Sequence, residues 1–233
     1  MFTTYQYLFI NLIGLGIVGV AYIFSPRQRR LMFLSGVSLI PFCVFAQYHQ
    51  GQYWNPVRLF GCAVGIEDVI FCFSVGSLVW LSGVMFFRQK IEVSHSFKRF
   101  IRRFLVIILA GVIVSFILGS LRVPVMGMTI ISQVSVLIML LFKRRNLWPL
   151  AVSAAILYTA YYCVILYAFS CVSPGFFSLW NGFSLSGIRL AGLPLEEIIW
   201  VFTFAACWMM IMAVSLEGFW VKKPYEQISS TRK

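Results

Sequence analysis

Charged residues are scarce in this sequence: they make up 11% of its 233 residues, and only seven are acidic. A soluble domain carries about a quarter charged residues, whereas 61% of the residues here are hydrophobic. The scarcity excludes an ordinary soluble domain and indicates a chain that uses the lipid bilayer as its solvent. Seven helices of about 20 residues would use roughly 140 positions, which leaves room for loops but not for a separate soluble domain.

Other signals are missing as well. The six cysteines include no Cys-x-x-Cys pair, and none has a histidine nearby at the spacing of a metal site, so we expect no metal. No lysine falls inside an apolar run, which excludes a retinal Schiff base of the kind that seven-helix photoreceptors need. The N-terminal stretch MFTTYQYLF has no basic region and no cleavage site, so we interpret it as a retained helix.

The basic residues lie in short clusters that flank apolar runs. These runs occur at about 5–24, 31–47, 66–87, 104–121, 124–142, 149–170 and 195–216. If the N-terminus is outside, all but three of the 19 basic residues fall on the inner side, and the outer three are Arg58, Arg122 and Arg189. This positive-inside pattern predicts the cell (inner) membrane, an outer N-terminus and a cytoplasmic C-terminus. It also accounts for the net charge of +12 without nucleic acid as a partner.

Two stretches of the chain have the same plan. Each contains a helix, a basic turn, a second helix, a loop with Trp-Asn and an arginine, and a third helix that opens with two acids. The plan predicts an all-α integral membrane protein of about seven transmembrane helices, with two parallel three-helix repeats joined by a linking helix. The predicted units are a first repeat at 1–90, a basic loop and linking helix at 91–122, a second repeat at 123–220 and a basic cytoplasmic tail at 221–233.

Four of the acidic residues form two matching pairs, Glu67–Asp68 and Glu196–Glu197, each at the start of a third helix. Helix N-termini favour anions, so capping alone is one explanation. Capping does not need two adjacent carboxylates, and ionisable groups near hydrocarbon are costly and usually functional. We therefore predict that the four carboxyl groups belong to a functional site.

Arg58 and Arg189 lie in the loops before the two acid pairs, and aromatic residues follow the acids, including Phe71 and Trp200. An arginine could hold one carboxylate ionised, while a like-charged neighbour in a dry site keeps the other protonated. The alternative is that both arginines rest in the headgroup layer. Because ring faces stabilise cations, an acid beside aromatic residues could protonate an alkene and shelter the carbocation.

These segments resemble the lycopene cyclase domain family, the membrane-integral type found as tandem domains or as two small subunits. In the first unit the matching residues are Gly51, Trp54, Asn55, Pro56, Arg58 and Gly61 ahead of Ile66-Glu67-Asp68. In the second unit they are Trp180, Asn181, Arg189 and Gly192 ahead of Pro194-Leu195-Glu196-Glu197. The second unit carries the family's Pro-x-Glu-Glu/Asp motif, whereas the first reads Gly-Ile-Glu-Asp without the proline.

The resemblance implies a carotenoid cyclase that acts on a lycopene-like polyprenoid dissolved in membrane lipid. Family members protonate a terminal alkene, close a ring on the carbocation and remove a proton, with no net redox change and no cofactor. By resemblance, the acid and base residues would be Glu67, Asp68, Glu196 and Glu197. The residues that bind or orient the substrate would be Trp54, Asn55, Arg58, Phe71, Trp180, Asn181, Arg189, Pro194 and Trp200.

Alternatives remain open at this level. Because the first motif lacks its proline, the chain could be a divergent member that acts on another polyprenoid or is inactive. A non-catalytic polyprenoid- or lipid-binding protein, or a proton-coupled transporter, could use the same acids, since parallel repeats and membrane-buried acids also occur in transporters. Assembly into a homo-oligomer is a further option.

Overall fold

The computed structural model describes residues 4–87, 91–93, 96–181 and 186–220, so the predicted tail at 221–233 lies outside the described residues. Seven helical segments in the described part are long and apolar enough to cross a membrane, which confirms the expected all-α membrane fold. The helices are α1 (Gln6–Phe24), α2 (Arg29–Leu39), α3 (Ala46–His49), α4 (Ile66–Val84), α5 (Phe97–Ser120), α6 (Val125–Lys143), α7 (Trp148–Val172) and α8 (Leu195–Ser215).

The second membrane segment, Arg29–His49, changes its helix type partway. After α2 a 3-10 segment runs over Ile40–Phe45, and the short α3 completes the span. Pro41 lies in the first turn of the 3-10 segment. Proline has no N–H to donate and its ring clashes with the carbonyl one turn earlier, so the regular α-helix ends before it.

The linking helix α5 begins at Phe97, whereas the apolar run predicted a start near residue 104. The additional turns contain four basic residues, and lysine and arginine are good helix formers whose long side chains reach towards the headgroups. Two of these residues, Arg99 and Arg103, form ion pairs with Glu217 just beyond α8. The start of α5 is thereby attached to the end of the last helix.

The two helices that carry the acid pairs form the centre of the bundle. α4 packs against α1, α2 and α7, while α8 packs against α5, α6 and α7. Both helices are mostly buried, and their side chains, among them Trp80 and Trp208, dominate the main apolar cluster. The two three-helix repeats and their parallel arrangement stay predictions.

α4 is held by a close approach to α2. A Cβ built on Gly76 would lie 2.6 Å from the carbonyl oxygen of Ser35, and one built on Gly36 would lie 2.7 Å from that of Phe73. The Ser35 hydroxyl donates to the Gly76 carbonyl at 2.7 Å. Small residues allow membrane helices to approach this closely and to exchange such hydrogen bonds, so α2 and α4 are packed tightly against each other.

Two pairs of very short strands complete the fold. β2 (Arg189–Leu190) pairs antiparallel with β3 (Leu193–Pro194), so the chain folds back just before α8. β1 (Ile91–Glu92) pairs antiparallel with β4 (Phe219–Trp220) near the end of α8. A further 3-10 segment precedes α7 at Arg145–Leu147, and another follows it at Phe176–Leu179.

Candidate active site

The loop before α4 (residues 50–65, the first loop) and the loop before α8 (residues 173–194, the second loop) contact each other directly. The backbone N–H of Asn55 donates to the carbonyl of Leu179 at 2.8 Å, and the N–H of Asn181 donates to the carbonyl of Tyr53 at 2.8 Å. The pattern is reciprocal, because each Trp-Asn segment donates to the residue before the tryptophan of the other. The two loops thus form one unit over the starts of α4 and α8.

Trp54 and Trp180 lie opposite each other within this unit. Their backbones form an antiparallel bridge, and their ring centroids are 5.4 Å apart. Trp54 also packs edge-on against Tyr7 of α1, with centroids 4.6 Å apart. The side-chain amide of Asn181 donates to the carbonyl of Gly51 at 3.2 Å. The structure therefore brings together the four Trp-Asn residues that the sequence pattern selected.

Asp68 is buried, and both of its oxygens accept hydrogen bonds. Oδ2 accepts from Arg58 Nε at 2.7 Å and from the Gly65 N–H at 2.7 Å, while Oδ1 accepts from the Tyr7 hydroxyl at 2.9 Å and from Arg58 Nη2 at 3.2 Å. Both members of the ion pair are nearly inaccessible to solvent, and Arg58 also donates to Gln50. Arg58 is therefore an internal counter-ion and does not rest in the headgroup layer.

Glu67 is fully buried but has fewer partners. Its Oε1 accepts from the Leu59 N–H at 2.6 Å, and its Oε2 has no hydrogen-bond partner among the described residues. This second oxygen lies against Gly65, where an added Cβ would collide with it and would come within 3.1 Å of Arg58 Cδ. Gly65 occupies the place of the family's proline. The first unit has no room for a proline ring there, and it uses the Gly65 N–H that proline lacks.

Glu197 is the buried carboxyl group of the second pair. Its Oε2 accepts from the Tyr53 hydroxyl and from Trp180 Nε1 at 3.1 Å, and its Oε1 accepts from the Tyr162 hydroxyl. All three donors are neutral, and no ion pair joins Glu197 to a cation of the described chain. Burial, and then the charge of Glu197, raise the pKa of the Tyr53 phenol well above its ordinary value, so this donor stays protonated.

The remaining residues of the second motif face the loop. Glu196 is half-buried, and its Oε1 accepts from the Ser186 N–H at 2.6 Å. Arg189 is exposed and donates to the Gly192 carbonyl at 3.1 Å; it forms no ion pair with either glutamate in the described chain. Pro194 is buried opposite Arg189 in the β2–β3 pair. The two arginines therefore have different surroundings, although their sequence positions match.

A cavity of about 60 Å³ lies below the loops, between α1, α4 and α7. Its aromatic lining residues are Tyr7, Trp54, Phe71, Tyr158, Tyr161, Tyr162, Phe176 and Trp180. Tyr7 also donates to Asp68, whereas Tyr162 and Trp180 donate to Glu197. The two carboxylates are thus linked to the cavity through aromatic donors. Trp200 instead stacks on Phe204, with centroids 5.5 Å apart, and is not among the lining residues.

The sequence pattern did not single out the three tyrosines that hold the carboxylates. Tyr53 had the stronger signal, because it directly precedes the Trp-Asn of the first loop. Tyr7 and Tyr162 had no local signal, since they lie on different helices in a chain with 10 tyrosines and 23 phenylalanines. Their role depends on how α1 and α7 pack beside α4 and α8.

A helical bundle with two buried carboxylate clusters beside an aromatic cavity defines an integral membrane protein whose site suits acid–base chemistry on an apolar ligand. Among the described residues, no group of three or more His, Cys, Asp or Glu could hold a metal ion. Residues 124–215 match the family model described as lycopene cyclase. This segment, which spans α6 to α8, is similar to the lycopene cyclase family, and the resemblance found in the sequence is confirmed over these residues. Comparison with curated proteins and with solved structures gave no match.

Proposed function

We propose that the protein is a carotenoid cyclase that closes a ring at the end of a lycopene-like polyprenoid. The reaction starts by protonation and involves neither a net redox change nor a cofactor. The observation that carries the proposal is that Tyr7, Tyr162 and Trp180 each line the aromatic cavity and each donate to a buried carboxylate. Ring closure through a cation needs a positioned acid, electron-rich walls and the exclusion of water, and this cavity combines the three.

Glu197 is the proposed source of the proton. Glu197 is buried without a counter-charge among the described residues and its partners are neutral, so it is the carboxyl group that we propose takes up a proton before the reaction and delivers it to the substrate. In this step the Tyr162–Glu197 hydrogen bond runs in the reverse of its direction in the structure: protonated Glu197 passes its proton to the oxygen of Tyr162, and the Tyr162 hydroxyl proton forms the new C–H bond with the terminal alkene. The step leaves a carbocation in the cavity and a carboxylate at Glu197, which balances the charge.

Ring closure and the return of the enzyme to its starting state then need no further reagent. A second double bond of the same end group attacks the cation, which forms the ring C–C bond and moves the positive charge onto the ring. A proton from the neighbouring ring carbon moves to the oxygen of Tyr162. The proton that Tyr162 received from Glu197 then returns to Glu197. Substrate and product have the same composition, so no oxidant or reductant takes part.

Asp68 has a different proposed role, because Arg58 already balances its charge. The Asp68 carboxylate accepts from the Tyr7 hydroxyl and so fixes that ring in the cavity wall, where its electron-rich face can stabilise a cation. Glu67 and Glu196 contact loop N–H groups, those of Leu59 and Ser186. We assign these two carboxylates to positioning the loops.

The substrate reaches the site from the lipid. The cavity is bounded by α1 on one side and α7 on the other, and its volume accommodates only a few water molecules. A carotenoid end group is larger, so binding has to widen the space between these helices. By the distribution of basic residues, we place the protein in the cell (inner) membrane with its N-terminus outside, which puts the loops and the site at the outer end of the bundle.

Pigment analysis in cells that accumulate lycopene tests the proposal. We expect the wild-type chain to convert lycopene to cyclic products, and Glu197→Gln to lower the conversion at least about 100-fold, as the loss of a general acid does. Glu92→Gln is the matched control, because Glu92 is an exposed carboxylate in the short β1 strand. Unchanged lycopene, with the wild-type protein present in the membrane at normal levels, would contradict the lycopene reaction. A carrier without catalytic activity would bind the pigment and leave it unaltered.

A further inference from the structure

Two polar side chains of the cavity wall have no part in the proposed reaction. Asn11 of α1 and Ser74 of α4 line the cavity and are 6% and 5% exposed. The Asn11 amide nitrogen and the Ser74 hydroxyl oxygen have no hydrogen-bond partner among the described residues. A buried polar group without a partner is unfavourable, especially where hydrocarbon surrounds it.

These atoms differ from the other unpartnered polar atoms of the described chain. Unpartnered atoms also occur at Thr159, Ser173 and Ser215, for example, but those residues do not line the cavity. Among the described unpartnered atoms, only those of Asn11 and Ser74 belong to residues that line this cavity, where a ligand could supply the partner. Their position therefore points to an occupant with a hydrogen-bonding atom.

The packing places the two side chains within about one helical turn of each other along the cavity. Asn11 and Gly14 are three residues apart and lie on the same face of α1. A Cβ built on Gly14 would be 3.8 Å from Ser74 Cβ, so this face of α1 lies directly against Ser74. Tyr7 is one turn nearer the loops, a rise of about 6 Å along the helix. Asn11 is therefore about 6 Å further along α1 than Tyr7, and Ser74 is about 9 Å further along α4 than Asp68.

We propose that this cavity binds a polyprenoid end group that carries oxygen, a hydroxyl or a keto group, and that the oxygen lies between Asn11 and Ser74. The Asn11 amide can donate to either kind of oxygen, and the Ser74 hydroxyl can donate to a keto group or accept from a hydroxyl. The inference rests on the proposed function for the class of ligand, and it names an oxygenated polyprenoid as the preferred one. A trapped water molecule would supply the same chemistry when the cavity is empty.

Binding measurements separate the two sources of oxygen. The purified protein in lipid nanodiscs is titrated with lycopene and with hydroxylated and keto carotenoids of the same chain length, and quenching of tryptophan fluorescence is followed. We expect the wild type to bind at least one oxygenated carotenoid about 10-fold or more tightly than lycopene, because a site built for hydrogen bonds discriminates against a ligand that lacks them. Asn11→Leu and Ser74→Ala should each reduce this preference, and the double variant should abolish it.

A variant outside the cavity serves as the control for the binding measurements. Asn146→Leu alters an exposed asparagine outside the cavity and should leave the preference unchanged. Ser74→Ala removes a single oxygen, so it remains usable if Asn11→Leu fails to fold. Equal affinity of the wild type for lycopene and both oxygenated ligands would overturn the inference and leave water as the partner. Because the readout is binding, a protein that prefers oxygenated ligands but cyclises nothing would support this inference while contradicting the proposed cyclase.

Discussion

The hydroxyl group of Tyr53 donates a hydrogen bond to the carboxylate of Glu197, which lies 144 residues further along the chain. Tyr53 belongs to the first loop and Glu197 to the first turn of α8. The second loop contributes Trp180, whose ring packs against that of Trp54 in the first loop. The site is therefore built where the two halves of the chain meet, and neither half contains all the partners of Glu197.

Replacing Tyr53 with phenylalanine removes one of three donors to Glu197. Hydrogen bonds to charged groups contribute about 1.5–3 kcal/mol, so the carboxylate formed after proton transfer becomes less stable, and we expect a roughly 10- to 150-fold slower cyclisation. The measurement is the rate of product formation in isolated membranes. Tyr167→Phe is the control, because Tyr167 is exposed on α7. Equal rates for the two variants would show that Tyr53 does not support the carboxylate.

Tyr53 should also influence stability at alkaline pH. Burial and then the charge of Glu197 raise its pKa above the ordinary value of about 10. The folded state therefore binds the phenolic proton more tightly than the unfolded state does, and this stabilisation is fully present below about pH 10 and is lost as the pH rises further. We expect the Tm of the wild type to fall above about pH 10, and the Tm of Tyr53→Phe to fall less over the same pH range. Parallel Tm profiles from pH 7 to 11, followed by tryptophan fluorescence, would contradict this.

Arg58 and Arg189 should differ sharply in their effect on stability. Arg58→Gln leaves Asp68 buried without its counter-ion, which costs about 3–5 kcal/mol, whereas Arg189→Gln changes an exposed residue and should stay within about 0.5 kcal/mol. The double variant with Arg58→Gln and Asp68→Asn should regain part of the free energy of unfolding that Arg58→Gln loses. Unfolding experiments in mixed micelles measure the free energy of unfolding of the two single variants and of the double variant. Similar losses for the two single variants would rule out a special role for the Arg58–Asp68 pair.

Introducing the family's proline into the first motif should be harmful. Gly65→Pro removes the N–H that donates to Asp68 and places ring atoms against Glu67, so we expect a lower Tm and little cyclisation. Gly65→Ala retains the N–H and isolates the steric effect. Pro194→Gly in the second motif disrupts no such contact and should cost only about 0.4–1 kcal/mol, through the added freedom of the unfolded chain. Wild-type behaviour of Gly65→Pro would show that the first motif tolerates the proline.

The proposed orientation can be tested with the protein's own cysteines. Cys62 and Cys171 are exposed at the loop end of the bundle. If the N-terminus is outside, a membrane-impermeant thiol reagent should label them in intact cells. In a cysteine-free background, Lys98→Cys at the start of α5 should react only after the membrane is permeabilised. The reverse labelling pattern would invert the topology and place the site at the cytoplasmic face.

The helices were predictable because each membrane span has to satisfy its own backbone hydrogen bonds in lipid, which requires a long apolar run. The predicted run at 66–87 corresponds to α4 at Ile66–Val84, and the run at 195–216 corresponds to α8 at Leu195–Ser215. The start of α5 was less predictable. The apolar run stops at the basic residues, but the helix continues through them, because charged side chains can extend towards the headgroups.

The candidate site was predictable only where its partners are close in sequence. Arg58 and Asp68 are ten residues apart, and the expected ion pair is present. The matching position, Arg189, lies in the tight β2–β3 turn and donates to that turn's own carbonyl at Gly192. A repeat in sequence therefore does not guarantee equal chemistry at the two positions, since the local backbone decides where a long side chain can reach.

The sequence by itself determined the solvent, the number of spans and the two acid pairs that contain the buried carboxylates, because these depend on hydropathy and on the cost of placing charge near lipid. The tertiary structure decided how each carboxylate is held. Asp68 has an arginine, whereas Glu197 has two tyrosines and a tryptophan drawn from the first loop, the second loop and α7. Hydrogen bonds between segments so far apart depend on helix packing and loop pairing, and local sequence patterns carry no record of either.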